Sequence, residues 1–382
     1  MSQIADFVES RREEMEEFLG LVVEYESPSY DKQALDGIAE LLAGRLRDAG
    51  GGVDILPNSA GGNHLRAEWD LTPGGKGEGQ VLLLSHTDTV WPLGEVEKRC
   101  FRIEGGKAYG PGVFDMKGGI TAGYYALKCL VDLGLATKLR VVWLFNSDEE
   151  IQSPTSRELI EAEARRSSYV LCLEPPDPPQ NSVTTFRKGV GTFTLEVTGR
   201  AAHAGAAPEQ GISAIHELAN QVLQLHSLTE LDKGITVNVG VVSGGSRPNV
   251  IAPSATAVVD LRFCTPEDGE RLAAVIADRK PTLAGATVSV SGGINRPALV
   301  RGPGVVALFE KARAIAKDLG FELTEVSSGG ASDANFTAAL LIPTLDGLGP
   351  TGNGAHAVSE YLDLESLPQR VALLAELLRS LD

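Results

Sequence analysis

Cysteine is scarce. The chain has four in 382 residues, Cys100, Cys129, Cys172 and Cys264, and no two form a C-x-x-C pair. That spacing excludes zinc-finger and dithiol redox signatures, and sparse unpaired cysteines suit a reducing, cytoplasmic compartment. Basic residues are also short, 34 against 51 acidic ones, for a formal net charge of −17. No nucleic-acid or anionic-membrane partner is expected, because both need a positive field. Long apolar runs are missing: stretches such as VLLL at Val81 to Leu84 fall far short of a membrane span. The acidic N-terminal segment has no apolar stretch of the signal-peptide kind. Internal repeats and low-complexity tracts are absent too. Glycine is abundant, with 43 residues, about 11% against a usual value near 7%. Such an excess points to many tight turns and close backbone approaches. The length and the 43% hydrophobic content permit a full core and two to three domains without disulfides.

The order of apolar patterns predicts an α/β fold with an insertion. Ile4, Phe7, Val8, Met15, Phe18 and Val22 trace a first helix, and Asp31 is placed to cap a second that carries Leu35, Ile38, Leu42 and Leu46. Three continuous apolar runs follow, each ending in polar residues: VLLLSHTD from Val81, LRVVWLFNSDEE from Leu139 and YVLCLEP from Tyr169. Runs of this kind suit strands buried on both faces of a mostly parallel sheet flanked by helices. One such helix is expected over 118–133. After about Thr184 the pattern changes to strict alternation in GTFTLEV, and a β-α-β-β-α-β order continues to about Arg296. We therefore expect a discontinuous catalytic domain over 1–184 and 297–382, and an inserted ferredoxin-like α+β domain over 185–296. The α/β character resumes with a helix near Val306 to Leu319, a short strand near Leu340 to Ile342 and a closing helix from Leu364.

Polar residues with metal-site chemistry collect where the apolar runs stop. In HTDTV, His86 can present one ring nitrogen to a cation while Asp88 orients the other; a histidine satisfied at a strand end is the plainer reading. Asp115 lies in the glycine-rich GPGVFDMKGG, either as a turn cap or as a carboxylate reaching a buried ion. Asp148, Glu149 and Glu150 crowd the end of one run, where acids repel one another unless cations are near or water surrounds them. Glu174 in LCLEP repeats the pattern, and His356 sits in the glycine-rich GPTGNGAHAVSE. Taken jointly, two histidines and three carboxylates without cysteine form the donor set of a divalent metal site. Two divalent cations against Asp115, Glu150 and Glu174 leave a surplus of one positive charge, which a single hydroxide would cancel. Glu149 would remain to act as general base and acid. His64, His216 and His226 have no such context and read as structural or exposed.

These motifs, together with GRAAHAGAAPEQG, NVIAPSATAVVDLRF and the GGASDANF and GAH loops, resemble the aminoacylase and glutamate carboxypeptidase family of co-catalytic zinc peptidases along nearly the whole chain. The likeness to bacterial folate-cleaving members is strongest in AHAGAAPEQG and in the RPA at Arg296. The resemblance implies two Zn2+ per subunit, with Co2+ or Mn2+ as substitutes. His86 and Glu174 would hold one ion, Glu150 and His356 the other, and Asp115 would bridge them. It also implies Asp88 as the orienting residue, Glu149 as the base, and a cis peptide between Asp115 and Met116. Met116 is a departure, since many relatives carry a second acid there. The inserted domain would be a lid and dimerisation domain, with His203 polarising the scissile carbonyl in the partner's site. Asn249, Arg262, Arg296 and Gly330 would line the substrate cleft, and Arg262 or Arg296 would clamp a free carboxylate. The expected activity is hydrolysis of an amide or peptide bond beside that carboxylate, releasing a glutamate-like residue from a small molecule or short peptide. An N-acyl-amino-acid deacylase or a dipeptidase would use the same chemistry. A non-catalytic binding protein that kept the fold is the rival from another class, and the complete set of candidate residues weighs against it.

Overall fold

The computed structural model describes residues 3–75, 77–178 and 181–382. The chain divides into two compact units, one of 1–186, 301–328 and 332–382, the other of 187–300 with 329–331.

The first unit is built on a six-stranded sheet. Its order is Gly52–Leu56, His64–Trp69, Arg140–Asn146, Gln80–His86, Tyr169–Cys172 and Thr344–Leu345. The last four strands run parallel, three of them as their apolar sequences predict, and the first two are antiparallel at one edge. Every residue of Gln80–His86 is buried. The helix Gly118–Asp132 covers the sheet, with Gly123 pressed on Trp143 and Gly119 on the end of the third parallel strand. A side chain at Gly119 would meet the Leu173 carbonyl oxygen at 1.9 Å, so only glycine lets the helix approach there.

Some elements depart from the sequence reading. The expected first helix is two, Gln3–Ser10 and Arg12–Glu24. The second, Lys32–Asp48, is capped by Asp31, whose Oδ1 accepts from the Ala34 amide at 2.9 Å. The apolar LeuLeuIle run is not a strand. It lies past the end of the helix Ala334–Ala339, with Leu341 at φ 62° and 92% exposed, and the strand begins only at Thr344. An apolar run this short has no periodicity to tell a strand from a helix end. Among the described residues, no helix is long and apolar enough to cross a membrane.

The second unit is a four-stranded antiparallel sheet in the order Thr236–Gly244, Ser254–Phe263, Gly189–Thr198 and Thr287–Arg296. Two helices, Ala214–His226 and Pro266–Ala277, pack on it. Phe193, Leu195 and Val197 alternate inward, as read from the sequence, and meet Leu218, Leu225, Leu272 and Ile276. This is the ferredoxin-like arrangement. Within it, the fully buried Glu217 ties the helix to the 282–283 loop. Its carboxylate accepts from the Thr282 and Leu283 amides, the closer at 2.6 Å, and from Gln221 Nε2 at 2.6 Å. Burial pushes this carboxyl up, but the hydrogen bonds from Gln221, Thr282 and Leu283 more than reverse it, and its pKa is lowered. Glu217→Ala is expected to cost about 1–3 kcal/mol, the penalty of stranding buried donors. With a folded pKa below the unfolded one, the stabilisation is present above the unfolded value near 4.3 and is lost as pH falls through the folded value. Urea unfolding at pH 7 and at pH 3 checks both parts; an equal difference at the two pH values would refute the charge assignment.

Candidate metal centre

The site in the first unit grows from the C-terminal ends of three neighbouring parallel strands, the usual place for ligands in open α/β sheets. His86 ends the middle strand, opposite Asn146, which ends the next one. Glu149 and Glu150 follow in a short turn, Glu149–Ile151. Glu174 comes two residues after the strand Tyr169–Cys172 and is fixed where the Gly349 amide donates to its carbonyl at 2.9 Å. Asp115 and His356 arrive on loops. Gly112, at φ 72°, turns the first loop against Thr89, and the Asp115–Met116 peptide is cis. His356 itself adopts φ 61°.

Asp115 stands at the centre. Its Oδ1 is 3.2 Å from His86 Nε2, and its Oδ2 is 3.3 Å from His356 Nε2. His86 Nε2 lies 3.6 Å from Glu174, and His356 Nε2 lies 3.1 Å from Glu150. Two trios therefore share one carboxylate: His86, Asp115, Glu174 and His356, Asp115, Glu150. Ligand atoms of His86, Asp115 and Glu150 fall within 4.8 Å of one another, as do those of His86, Glu149 and Glu174, so Glu149 is within reach of the same space.

The electrostatics of this cluster fit cations. Burial drives Glu174 well above the usual carboxylate range, and the charges of Asp115 and Glu149 push the same way. Burial likewise raises Glu150, with Asp115 adding to it. Burial would also raise Asp115, but the hydrogen bonds from His356 and His86 outweigh it and hold its pKa far down. His86 answers in the opposite sense: burial lowers it, while Glu174, Asp115 and Asp88 bring it well above the ordinary histidine value. His356, bonded to Asp115 and Glu150, is raised to about 11. Buried acids that repel one another around two imidazole nitrogens are stabilised by positive charge at their centre. Nitrogen and oxygen donors without sulfur suit zinc, cobalt or manganese.

Asp88 sits behind the cluster. The closest contact of His86 Nδ1 is the Asp88 backbone carbonyl at 2.9 Å, with the carboxylate at 3.4 Å. That carboxylate accepts instead from Ser29 Oγ at 2.8 Å and from the amides of Glu149 and Glu150, each at 3.1 Å. It thus aims the acidic turn as well as the histidine. Met116, the one departure from the resembled pattern noted above, receives the His86 amide on its sulfur at 3.1 Å.

Sequence reasoning passed over two supporting acids, Glu360 and Asp333, and gave a third, Asp148, no role of its own. Glu360 is buried and accepts from the amides of Gly112, Phe114 and Asp115 and from Trp91 Nε1, all within 2.9–3.1 Å. It lies in the same segment as His356, so it joins the two loops that carry ligands. Asp148 binds Thr155 and Ser156, and Asp333 binds Asn146 and Ser153, anchoring the Glu149–Glu150 turn from behind. An acid inside a glycine-rich motif was the available signal for Glu360 and Asp333. His64 is structural, buried against Ser147, and His216 and His226 are exposed.

The remaining candidates belong to the second unit. His203 is exposed, and its Nδ1 accepts from the amides of Gly205 and Ala206, which leaves Nε2 as the protonated donor. It bridges to Val250, beside the exposed Asn249, whose carbonyl receives the Ala204 amide. Arg262 and Arg296 lie in one row across the sheet, on either side of Val190. Arg262 pairs with Asp260 at 2.9 Å, while Arg296 is buried beside Asn295. Gly330 is exposed in the short 329–331 segment.

Residues 82–380 match peptidase family M20/M25/M40. The chain belongs to this family. Among M20 relatives, carboxypeptidase G2 of Pseudomonas sp. (strain RS-16) is 36% identical over 311 residues, covering 80% of this chain and 75% of that protein. Succinyl-diaminopimelate desuccinylase of Dechloromonas aromatica (strain RCB) is 26% identical over 367 residues, covering 90% of this chain and 93% of its own length. The fold is that of aminopeptidase PepT from Bacillus cereus, with a TM-score of 0.77 at 22% identity over 96% of this chain and 98% of that one. As an M20 member the chain is a hydrolase of C–N bonds, with M20 metallopeptidase chemistry.

Proposed function

We propose that the protein is a di-zinc hydrolase that cleaves an amide or peptide bond beside a free carboxylate and releases a C-terminal glutamate-like residue. The observation that carries this reading is the position of Asp115, with one carboxylate oxygen toward each histidine and so toward each of two donor trios. His86 and Glu174 would hold one ion, His356 and Glu150 the other, and Asp115 would bridge them. Bound ions in such a site lower the pKa of water and polarise a carbonyl. Glu149 takes the proton of the attacking water and returns it to the leaving amine. Asp88 keeps His86 and the acidic turn in place. His203 Nε2–H donates to the carbonyl oxygen as it becomes an oxyanion. Asn249 and Gly330 line the cleft, and Arg262 or Arg296 takes the free carboxylate. A deacylase of N-acyl amino acids is the second reading, favoured by the desuccinylase among the relatives. The scarcity of cysteine suits a cytoplasmic setting.

A panel of N-acyl and dipeptide substrates with the zinc-loaded protein tests the reading. Amidation of the terminal carboxylate is expected to lower kcat/KM by about 10²-fold or more, since unpaired guanidinium and lost charge-assisted bonds both count against it. Equal rates on acid and amide would refute it.

The inserted domain, 185–296, serves in this reading as lid and homodimer interface. Support comes from Ile215, Leu223, Val241 and Val242, exposed along one helix and the edge strand Thr236–Gly244. His203 then acts in the partner's site, as two-fold symmetry permits. Mixing inactive His203→Ala and Glu149→Ala subunits is expected to restore part of the activity, because one site per heterodimer regains both groups. Verified heterodimers without recovery would place His203 in its own subunit's site or outside the mechanism.

A further inference from the structure

His64 begins the strand that pairs with Arg140–Asn146, the strand from which the Glu149 turn departs. It is buried, and its polar partners are Asn58, Ser147 and Thr155, none of them a metal donor. Nδ1 lies 3.2 Å from the Ser147 amide nitrogen and 3.2 Å from the Ser147 hydroxyl. The hydroxyl donates its one hydrogen to the Gly62 carbonyl at 2.6 Å, so the ring nitrogen receives the amide. On the other side, Nε2 lies 3.2 Å from Thr155 Oγ1, whose own hydrogen goes to Asp148 Oδ2 at 2.6 Å. That hydroxyl oxygen is left to accept, from Asn58 Nδ2 at 2.8 Å and from the ring. Nε2 is therefore the protonated nitrogen and Nδ1 the bare one.

Such a ring is neutral. Burial pushes its pKa below the ordinary histidine value; Asp148, Asp88 and Asp333 oppose the shift, Lys32 reinforces it, and the net direction is downward. A second proton on Nδ1 would set one N–H against another. Ser147 is buried, and among the described residues His64 Nδ1 is the acceptor its amide meets. Ser147 is also the first residue beyond the strand, so this bond fixes the direction in which the chain leaves the sheet. Glu149 stands two residues further on. Directly after the turn, Gln152 and Ser153 adopt φ 76° and 54°, left-handed backbone that side chains disfavour. The turn is thus held against a local preference.

We propose that His64 is a positioning residue for the hydrolysis: through the Ser147 amide it fixes the backbone from which Glu149 reaches the attacking water. The inference rests on the function proposed above and adds to it a residue outside the metal donors. A general base works only where its oxygen meets the proton, and a displacement of about 1 Å can cost about 10²-fold in rate. Substrate binding does not need that alignment, so the loss falls on kcat rather than on KM.

Two substitutions in the zinc-loaded full chain separate positioning from packing. His64→Leu fills the space but accepts nothing, while His64→Asn keeps an oxygen where Nδ1 stands. His64→Leu is expected to lose about 10–10²-fold in kcat with KM near that of the parent, and His64→Asn to stay within about threefold of the parent. Hydrogen exchange read by mass spectrometry gives a measure apart from turnover. Peptides over 146–151 are expected to exchange about tenfold faster in His64→Leu, with those over 80–86 unchanged and His64→Asn protected like the parent. Thermal melts check folding, and His64→Ala, with the same expectations, replaces His64→Leu if the latter does not fold. Parent-like kcat in His64→Leu overturns the proposal; so does an equal loss in both variants, which would mark a packing role. If the parent cleaves none of the N-acyl and dipeptide panel, the proposed function falls, and His64 is judged by exchange alone. Local loss of protection that His64→Asn restores supports its hold on the turn; no change, or loss spread through the sheet, overturns it.

Discussion

Replacement of Glu149 by glutamine is expected to lower kcat by about 10²–10⁴-fold while metal content and melting temperature stay near those of the parent. The argument is positional. Glu149 shares the turn with Glu150, and its amide is held by Asp88, so the backbone path does not depend on its own carboxylate. Its ligand atom reaches the space around His86 and Glu174, where an attacking water would be placed. Neither of the two trios that meet at Asp115 needs it. Glutamine keeps the shape and removes the basic oxygen. Full metallation together with normal turnover would show that the proton goes elsewhere.

Asp115→Ala is expected to have the second large effect, and on a different quantity. One carboxylate faces both histidines, so its removal takes a donor from each trio and both ions are expected to be lost. Glu150→Ala removes a donor from the His356 trio alone, and loss of one ion is expected. Metal analysis after gel filtration separates the two outcomes. Two equivalents retained by Asp115→Ala would contradict the bridging role.

His86, Glu150 and Glu174 are legible in the sequence because each stands at or just beyond the end of a continuous apolar run, which marks a strand end where ligands gather. Asp115 and His356 have no strand of their own; their glycine-rich loops and donor chemistry made them candidates, and only resemblance to a family gave each its role. Their alignment comes from Glu360, whose role exists only once Gly112, Phe114, Asp115 and Trp91 converge on it. Contacts between segments that far apart in the chain leave no local periodicity. The ferredoxin-like unit was legible because its strands alternate cleanly around Phe193, Leu195 and Val197. The strand His64–Trp69, second from the margin of its sheet, has the same alternation in Leu65, Ala67 and Trp69, and was missed amid the surrounding glycines and charges. Leu340 to Ile342 misled in the opposite direction, since hydrophobicity alone does not separate a buried strand from the exit of a helix.

The outermost strand of the second unit, Thr236–Gly244, carries a further consequence. It is a sheet margin whose last five residues are exposed, with Val241 and Val242 among them and an irregularity in register between Val239 and Val241. A bare margin of this kind templates pairing with any extended chain, and a bulge is one of the few devices that blunt it. In the dimer proposed above, dilution or interface mutations that uncover the margin would therefore be felt first as insolubility and fouling of the preparation, ahead of any change in the chemistry of the metal donors. Lysine at Val242 is expected to blunt that margin, because charge on an edge strand opposes pairing with a further chain.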